Sequence, residues 1–343
     1  MWQLIQCAVE GRGHTAAGIP CQDKVFSLVR GDFAVACLAD GAGSARLSHF
    51  GAEAVTRHLA SLFDRQFDIF FANENAEEVK ASIVREWLEC LRKTAEKHAC
   101  KLADLASTAL VVAMTGERYI LLHIGDGVIG FRRGGPFMTA SAPSNGEFAN
   151  TTVFTTSINA VQAVRLFKGS LNAKLDADGK VLKPAIDGFL LMSDGTEASF
   201  YEKRTQSFAP VVETLHALAQ SRSPGKLSAM LEAEFRKTVR EKTTDDCSFV
   251  LLARTIVPPI CYSELDDNRK AALFGLSGTE RNLQLERYDT IVRRLLERPE
   301  GADADEIALL LGLKKKHADK YVDRLLERRL LWKNGRRLLS LID

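Results

Sequence analysis

The stretch GFLLMSDGT, residues Gly188 to Thr196, determines how the fold of this 343-residue chain is interpreted. Its apolar run ends abruptly in Asp194-Gly195, which predicts a buried strand with a carboxylate at its tip. The pattern occurs twice more, because FAVACLADG ends in Asp40-Gly41 and YILLHIGDG ends in Asp126-Gly127. Since an isolated buried carboxylate is energetically costly, acids at three strand ends predict a shared cation.

Two further acidic positions lie at the boundaries of predicted strands. Asp23 precedes the predicted strand Val25 to Val29, and the pair Asp245-Asp246 precedes the apolar run Cys247 to Ala253. Hard cations such as Mg²⁺ and Mn²⁺ prefer oxygen ligands, so this set of acids suits a cluster of two such ions. One Asp-Gly after a strand is most often only a turn, but the recurrence favours a metal centre. We interpret Asp246 as a local hydrogen-bonding residue rather than a ligand.

Composition places the chain among ordinary soluble proteins. Hydrophobic residues make up 46% and charged residues 26%, and the formal net charge is +2. This balance gives no indication of a nucleic-acid or anionic-membrane partner. Neither a signal peptide nor an apolar run of membrane-spanning length is recognised. The seven cysteines contain no C-x-x-C pair, so reduced thiols and a cytoplasmic location are expected.

The chain changes character at Pro258-Pro259. Up to residue 255 there are 29 basic and 29 acidic residues, whereas from Glu280 to Asp343 there are 15 basic and 12 acidic. We therefore predict a domain over residues 1–255, a linker over 256–279 and a small domain over 280–343. The small domain is predicted to contain three helices, Leu283 to Glu297, Ala304 to Leu311 and Lys315 to Arg329, followed by a hairpin turning at Asn334-Gly335. That order is typical of a winged helix.

Within residues 1–255 the pattern predicts strands and helices in alternating groups. The Gly-rich segment between the first two strands, residues 11–23, is expected to be irregular. Residues 134–186 are expected to form an irregular excursion near the acidic strand ends, with short strands at Thr152 to Thr155 and Val161 to Phe167. Two helices are expected after the first three strands, at Ser44 to Asp64 and Ala76 to Leu102.

Six motifs occur in the order found in the metal-dependent type 2C (PPM) serine/threonine protein phosphatases, and the chain resembles that family over residues 1–255. The resemblance implies a four-layer α-β-β-α sandwich of two antiparallel sheets, an α+β fold within the broad α/β class. The motifs are CQDK (21–24), LADGAGSA (38–45), STALVVA (107–113), HIGDGVIGFRR (123–133), LLMSDGT (190–196) and TTDDCSFVLLA (243–253).

The resemblance also implies an activity and a set of ligands. A water activated at a centre of two Mn²⁺ or Mg²⁺ ions would attack phosphorus in phosphoserine or phosphothreonine, with no phosphoenzyme. Asp40 and Asp194 would act through that water, and Asp126 would serve a third, weaker ion with the Asp194 carboxylate. The ligands of the two-metal centre would be Asp23, Asp40, Gly41 through its carbonyl, Asp194 and Asp245.

The sequence departs from the family pattern in three places. Gln22 stands where many eukaryotic members have Glu, and Asp246 stands where Asn is usual. The family's phosphate-binding arginine lies a few residues before the acidic motif, but Gly18 occupies the corresponding offset here. His14 or Arg12 is the candidate for the phosphate contact, and an exposed loop role for them remains the alternative.

These departures keep a second interpretation open, a catalytically inactive phosphatase fold that serves as a regulatory or DNA-binding module. An active enzyme would require a phosphoprotein substrate, either a kinase or the target of one. For the C-terminal module, protein binding or self-association is favoured over DNA binding. Lys314, Lys315 and Lys316 open the candidate recognition helix, but the same helix carries Asp319 and Asp323.

Overall fold

The computed structural model describes residues 1–143, 152–176, 178–255, 261–277 and 281–343. The chain divides into two compact units. Unit 1 comprises Met1–Ala217 and Glu234–Thr255, and unit 2 comprises Leu218–Ala233 and Ile256–Asp343. Across the described ranges, no helix is both long enough and apolar enough to cross a membrane.

The strands alternate in groups with helices along the chain. In chain order they are β1 (Trp2–Val9), β2 (Lys24–Arg30), β3 (Phe33–Ala39), β4 (Ala109–Thr115), β5 (Arg118–Ile124), β6 (Val128–Arg132), β7 (Phe137–Ser141), β8 (Arg165–Ser170), β9 (Lys174–Leu175), β10 (Val181–Lys183), β11 (Gly188–Met192), β12 (Tyr201–Glu202), β13 (Ser207–Phe208), β14 (Cys247–Arg254), β15 (Leu331–Asn334) and β16 (Arg337–Ser340).

The helices are named in the same way. They are α1 (Arg12–Ala17), α2 (Ser48–Ala72), α3 (Ala76–Lys97), α4 (Ala160–Ala163), α5 (Asp194–Phe200), α6 (Val211–Ala219), α7 (Pro224–Glu234), α8 (Asp267–Phe274), α9 (Arg281–Glu297), α10 (Ala304–Leu311) and α11 (Lys315–Glu327), with short 3₁₀ turns at Leu102–Leu105, Arg240–Lys242 and Tyr262–Glu264 and a π-helical turn at Phe235–Val239.

Two antiparallel sheets form the centre of unit 1. One has the strand order β1-β14-β11-β6-β7-β13-β12, and the other has the order β2-β3-β4-β5-β8. Side chains of a strand point alternately to the two faces of its sheet, so one strand contributes to the core on each side of the sheet. In β3, Ala34, Ala36 and Leu38 pack between the sheets, against Phe189 and Val250 of the other sheet.

The opposite face of the five-stranded sheet is covered by helices. Val35 and Cys37 of β3 pack against α2 and α3, whose buried side chains include Leu59, Phe63 and Trp87. The outer face of the seven-stranded sheet is covered in part by α5 and the turn after α7, where Phe200 and Phe235 contact Phe249 of β14. The predicted α-β-β-α sandwich of antiparallel sheets is therefore confirmed for unit 1.

Three local predictions differ from the structure. Residues 12–17, expected to be irregular, form α1, whose C-terminal Gly18 adopts the left-handed conformation with φ 66°. Residues 152–155 form no strand, and residues 160–163 form α4 before β8 begins at Arg165. Strand β8 pairs with β5 along six residues, so this part of the excursion 134–186 completes a sheet. Residues 144–151 and 177 of that prediction lie outside the described residues.

Unit 2 has a core of its own. Tyr262 and Phe274, from the segment expected to be a linker, are buried with Tyr288 of α9, so the described part of that segment belongs to this core. Residues 256–260 of the expected linker lie outside the described residues. Helices α9 to α11 and the hairpin β15–β16 follow in the predicted order. Assignment of this unit to the winged-helix class stays a prediction.

Candidate metal centre

Three of the predicted carboxylates converge at one edge of the sandwich. Asp40, Asp126 and Asp194 each offer a carboxylate oxygen, and these oxygens all lie within 4.8 Å of one another. The topology explains two of them, because β3 and β5 both run antiparallel to β4 and therefore end at the same edge. Asp40 follows β3 directly, and Asp126 follows β5.

Asp194 reaches the cluster from the other sheet. It follows β11 and is the first residue of α5. Ser193 fixes this end of β11, since its backbone N–H donates to the Ser248 carbonyl at 3.2 Å and its hydroxyl accepts from the Ser248 N–H at 3.0 Å. Asp194 Oδ1 is buried without a hydrogen-bond partner among the described residues. A bare carboxylate oxygen at a fixed strand end is available as a ligand.

Asp23 and Asp245 lie within electrostatic reach of the cluster. Asp23 is 1% exposed, and neither of its carboxylate oxygens has a hydrogen-bond partner in the described part of the chain. Burial raises the pKa of Asp40 well above its ordinary value, and the charges of Asp23, Asp194, Asp245 and Asp126 raise it further. The five predicted acids therefore act on one another as a single electrostatic group.

The same physical causes act on two neighbours of Asp40. Burial, and then the charge of Asp246, raises the pKa of Asp23 to about 7. Burial, and then the charges of Asp245 and Asp126, raises the pKa of Asp194 to about 6. Acids held together in this way repel one another unless protons or cations neutralise them.

The donor set fits a hard divalent cation. Every candidate side chain offers carboxylate oxygen, and three of these buried oxygens, two on Asp23 and one on Asp194, have no partner among the described residues. Gly41 packs closely against Ser48, because a Cβ on Gly41 would lie only 2.8 Å from the Ser48 side chain. The backbone at this position can therefore be accommodated only because glycine has no side chain. Its carbonyl is the predicted sixth ligand position.

Two threonines support the acids, and sequence reasoning did not single out either of them. The Asp40 N–H donates to Thr108 Oγ1 at 2.9 Å, while the Thr108 N–H donates to the Asp40 carbonyl at 2.7 Å. Thr108 lies inside the quoted STALVVA motif, which was the available signal. The Thr152 hydroxyl donates to Asp126 Oδ2 at 2.6 Å, and no local pattern marked it.

Asp246 has the hydrogen-bonding role predicted for it. Its Oδ1 accepts from the Gly11 N–H at 2.7 Å, and its Oδ2 accepts from the Gln22 N–H at 2.5 Å. The Asp246 N–H in turn donates to Asp245 Oδ1 at 2.8 Å. This buried carboxylate thus connects the loop before Asp23 to the residues just before β14, which include Asp245.

The two candidates for the phosphate contact have different surroundings. His14 Nδ1 lies 2.9 Å from Asp246 Oδ1, next to the acids. Arg12 is exposed, its Nε donates to the Thr243 carbonyl at 3.2 Å, and its Nη1 lies 3.6 Å from Glu241. The structure therefore gives Arg12 partners outside the acid cluster. The role of either residue toward phosphate stays a prediction.

The fold is thus a sandwich of two antiparallel sheets between helices, with carboxylates from both sheets at one edge. The family model for protein phosphatase 2C matches residues 10–232, which is more than half of the chain. The chain belongs to the protein phosphatase 2C family, and it is a phosphoprotein phosphatase. The resemblance recognised in the motifs and the predicted enzyme class are confirmed.

The chain is also similar to individual proteins and solved structures. Serine/threonine-protein phosphatase 3 of Escherichia coli (strain K12) is 25% identical over 171 residues, which are 48% of this chain and 67% of that protein. A crystal structure of a bacterial serine phosphatase matches 74% of this chain and 98% of its own with a TM-score of 0.50 and 14% identity. The catalytic domain of PstP, solved with two manganese ions, matches 74% of this chain and 100% of its own with a TM-score of 0.46 and 17% identity.

Proposed function

We propose that this chain is a metal-dependent serine/threonine protein phosphatase that hydrolyses phosphoserine and phosphothreonine with Mn²⁺ or Mg²⁺ as cofactor. The observation that carries the proposal is the approach of Asp40, Asp126 and Asp194, whose carboxylate oxygens lie within 4.8 Å of one another. Mutual repulsion in such a group is relieved when divalent cations bind.

The proposed ligands follow from the positions of the acids. Asp23, Asp40, Asp194 and Asp245, with the Gly41 carbonyl, would hold two ions. Asp126 and Asp194 would hold a third, weaker one. When bound, such ions supply a more acidic water as nucleophile and positive charge for the phosphoryl oxygens. The hydrogen bonds of Thr108 to the Asp40 backbone and of Thr152 to the Asp126 side chain support this proposal, because they restrict the orientation of two proposed ligands.

The residues around the acids have complementary roles in this proposal. His14 Nδ1 lies 2.9 Å from Asp246 Oδ1, and Nε2 on the other side of the ring would be the nitrogen available to a phosphoryl oxygen. Asp40 and Asp194 would supply the negative charge that retains the cofactor, which would in turn supply the activated water. No cysteine is needed as a nucleophile, and burial raises the pKa of the Cys247 thiol to about 12, which keeps it protonated.

Hydrolysis of p-nitrophenyl phosphate and of a phosphothreonine peptide with Mn²⁺ tests the proposal. Asp40→Ala and Asp194→Ala are each expected to lower kcat/KM by at least about 1,000-fold, since each removes a ligand of the activating ions. Asp68→Ala is the matched control, because Asp68 is an exposed acid paired with Arg118. Equal rates in wild type and both site variants would contradict the proposal.

The regulatory alternative, an inactive phosphatase fold, makes the opposite prediction. It expects no turnover by the wild-type chain at any concentration of Mn²⁺ or Mg²⁺, with phosphopeptide binding retained. Gln22 and the absence of an arginine at position 18 are the features that favour it. A titration of p-nitrophenyl phosphate hydrolysis against each metal decides between the two functions.

For unit 2 we propose a protein-binding role rather than DNA binding. Two cations near its candidate recognition helix form ion pairs: Lys315 Nζ lies 2.8 Å from Asp305, and Arg337 Nη1 lies 2.5 Å from Glu306. Phosphate-backbone binding needs cations that are free to replace counterions. A mobility-shift titration of the full chain with duplex DNA at low salt is expected to show no complex, and a specific shift would establish the DNA-binding alternative.

A further inference from the structure

A buried carboxylate holds an exposed ammonium group beside the metal centre. Glu197 has a side chain that is only 3% exposed, whereas the Lys203 side chain is 70% exposed, and Lys203 Nζ lies 2.8 Å from Glu197 Oε2. The lysine follows the short strand β12, so the hairpin after α5 brings it back onto the helix. The second oxygen, Glu197 Oε1, is buried with no hydrogen-bond partner among the described residues.

The position of Glu197 on α5 places this pair at the acid cluster. Asp194 and Glu197 are three residues apart in one helix and therefore lie on the same face. The pKa of Lys203 is raised chiefly by Glu197 and then by the charges of Asp194 and Asp126. The ion pair thus joins Lys203 to the face of α5 that also carries Asp194.

The sequence has no arginine at the position where the resemblance expects the phosphate-binding arginine. Gly18 occupies the offset where the resemblance places an arginine. Arg12, the nearest arginine along the chain, is paired with Glu241 and the Thr243 carbonyl. A phosphate ester is a dianion, so a further cation beside the acids would strengthen its binding.

We propose that Lys203, positioned by Glu197, contacts a phosphoryl oxygen of the phosphoserine or phosphothreonine substrate. This inference rests on the proposed function. An ammonium group has three donors, and Glu197 uses one of them, so the others remain for substrate oxygens. Glu197 is a positioning residue, because it restricts a flexible side chain before substrate arrives. No local sequence motif indicates this pair, because its two residues lie in different elements, a helix and the turn of a hairpin.

Steady-state kinetics with p-nitrophenyl phosphate and Mn²⁺ tests the inference. Lys203→Ala is expected to raise KM and the inhibition constant of inorganic phosphate by about tenfold or more, because it removes one charge-assisted hydrogen bond. Lys203→Arg should restore most of both. Glu197→Gln should raise both constants by a smaller factor. Arg204→Ala is the matched control, because it removes an exposed cation from the same hairpin and should change neither constant.

The outcomes separate the inference from the proposed function. A wild-type chain without turnover would overturn the proposed function itself. An active wild type whose Lys203→Ala variant matches Arg204→Ala in both constants would overturn only the role of Lys203. A variant that unfolds at a lower temperature but binds inorganic phosphate with unchanged affinity would show that the pair is merely structural. An effect on a phosphopeptide but not on p-nitrophenyl phosphate would place the contact on flanking residues and reject the phosphoryl contact.

Discussion

His14 Nδ1 lies 2.9 Å from Asp246 Oδ1, and the Asp246 carboxylate accepts hydrogen bonds from the backbone N–H groups of Gly11 and Gln22. One side chain therefore connects helix α1 and the loop before Asp23 to Asp245, just before β14. Because Asn usually stands at this position in the family, the additional negative charge belongs to this chain and places an acid beside the imidazole ring.

Replacement of Asp246 should have graded effects on stability. Asp246→Ala leaves the buried N–H groups of Gly11 and Gln22 without acceptors, which should lower the free energy of unfolding by about 2–4 kcal/mol. Asp246→Asn keeps one acceptor oxygen and should lower it by less than half of that. Urea unfolding of the two variants with EDTA present measures the difference, and equal stabilities for both would show that the carboxylate does not hold the loop.

Close packing at Gly11 provides a test of how the Asp245 backbone is placed. A Cβ on Gly11 would lie 2.3 Å from the Asp245 carbonyl carbon, so Gly11→Ala must displace that backbone. We expect Gly11→Ala to weaken Mn²⁺ binding by at least about tenfold, since Asp245, a proposed ligand, would be displaced. Gly135→Ala is the control, because nothing lies within 4 Å of its added Cβ. Calorimetric titration with Mn²⁺ makes the comparison, and wild-type affinity in Gly11→Ala would contradict it.

Thr108 should act on metal affinity through Asp40. Thr108→Val removes the hydroxyl that accepts from the Asp40 N–H and leaves the shape of the side chain nearly unchanged. Loss of this support should weaken Mn²⁺ binding by about 10- to 100-fold, as is typical for residues that orient ligands. Thr94→Val is the control, since its hydroxyl only donates to the Cys90 carbonyl within α3. Mn²⁺ titration of the two variants would exclude the role of Thr108 if their affinities were equal.

The stability of the metal-free protein should fall as pH rises. Both pKa values are raised in the folded state, to about 7 for Asp23 and about 6 for Asp194, from an ordinary 3.8. The folded state therefore retains protons that the unfolded state has lost, so this contribution is fully present below about pH 4. This stabilisation is lost as pH rises through 6 and 7, and each unit by which a pKa is raised on folding contributes about 1.4 kcal/mol to it.

Urea unfolding at pH 5 and pH 8 in EDTA measures this dependence. Stability should be greater at pH 5, and Mn²⁺ at pH 8 should reverse the loss by neutralising the acids. Asp40→Asn should stabilise the metal-free protein at pH 8 and reduce its response to Mn²⁺, whereas Asp68→Asn, at an exposed surface pair, should resemble wild type. A metal-free wild type that is more stable at pH 8 than at pH 5 would refute the role assigned to acid repulsion.

The strands that carry the site were predictable because their signals are local. An apolar run that ends in Asp-Gly announces both a buried strand and a carboxylate at its end, as at Asp40 and Asp126. What the sequence could not disclose depends on partners distant along the chain. Helix α1 was hidden because its Gly-rich segment is held by Asp246, more than 230 residues away. Strand β8 was likewise obscured, because it is defined by its pairing with β5.

The Glu197–Lys203 pair illustrates the same limit for the site. An exposed lysine in a polar turn is indistinguishable by composition from its neighbour Arg204. Only the return of the hairpin onto α5 gives Lys203 a buried carboxylate partner. Three acids from the six motifs, Asp40, Asp126 and Asp194, meet in the structure, whereas the contacts made by Thr152 and Asp246 could be found only from coordinates.

Strand β14 lies between β1 and β11, although it is made from the last residues of unit 1. During synthesis on a ribosome, the seven-stranded sheet therefore cannot close until residue 254 has left the exit tunnel. Asp245 enters at the same moment, so the nascent polypeptide cannot assemble the complete set of acids earlier. If Asp245 is a ligand as proposed, the order of strands delays metal-dependent hydrolysis until translation of the whole unit is finished.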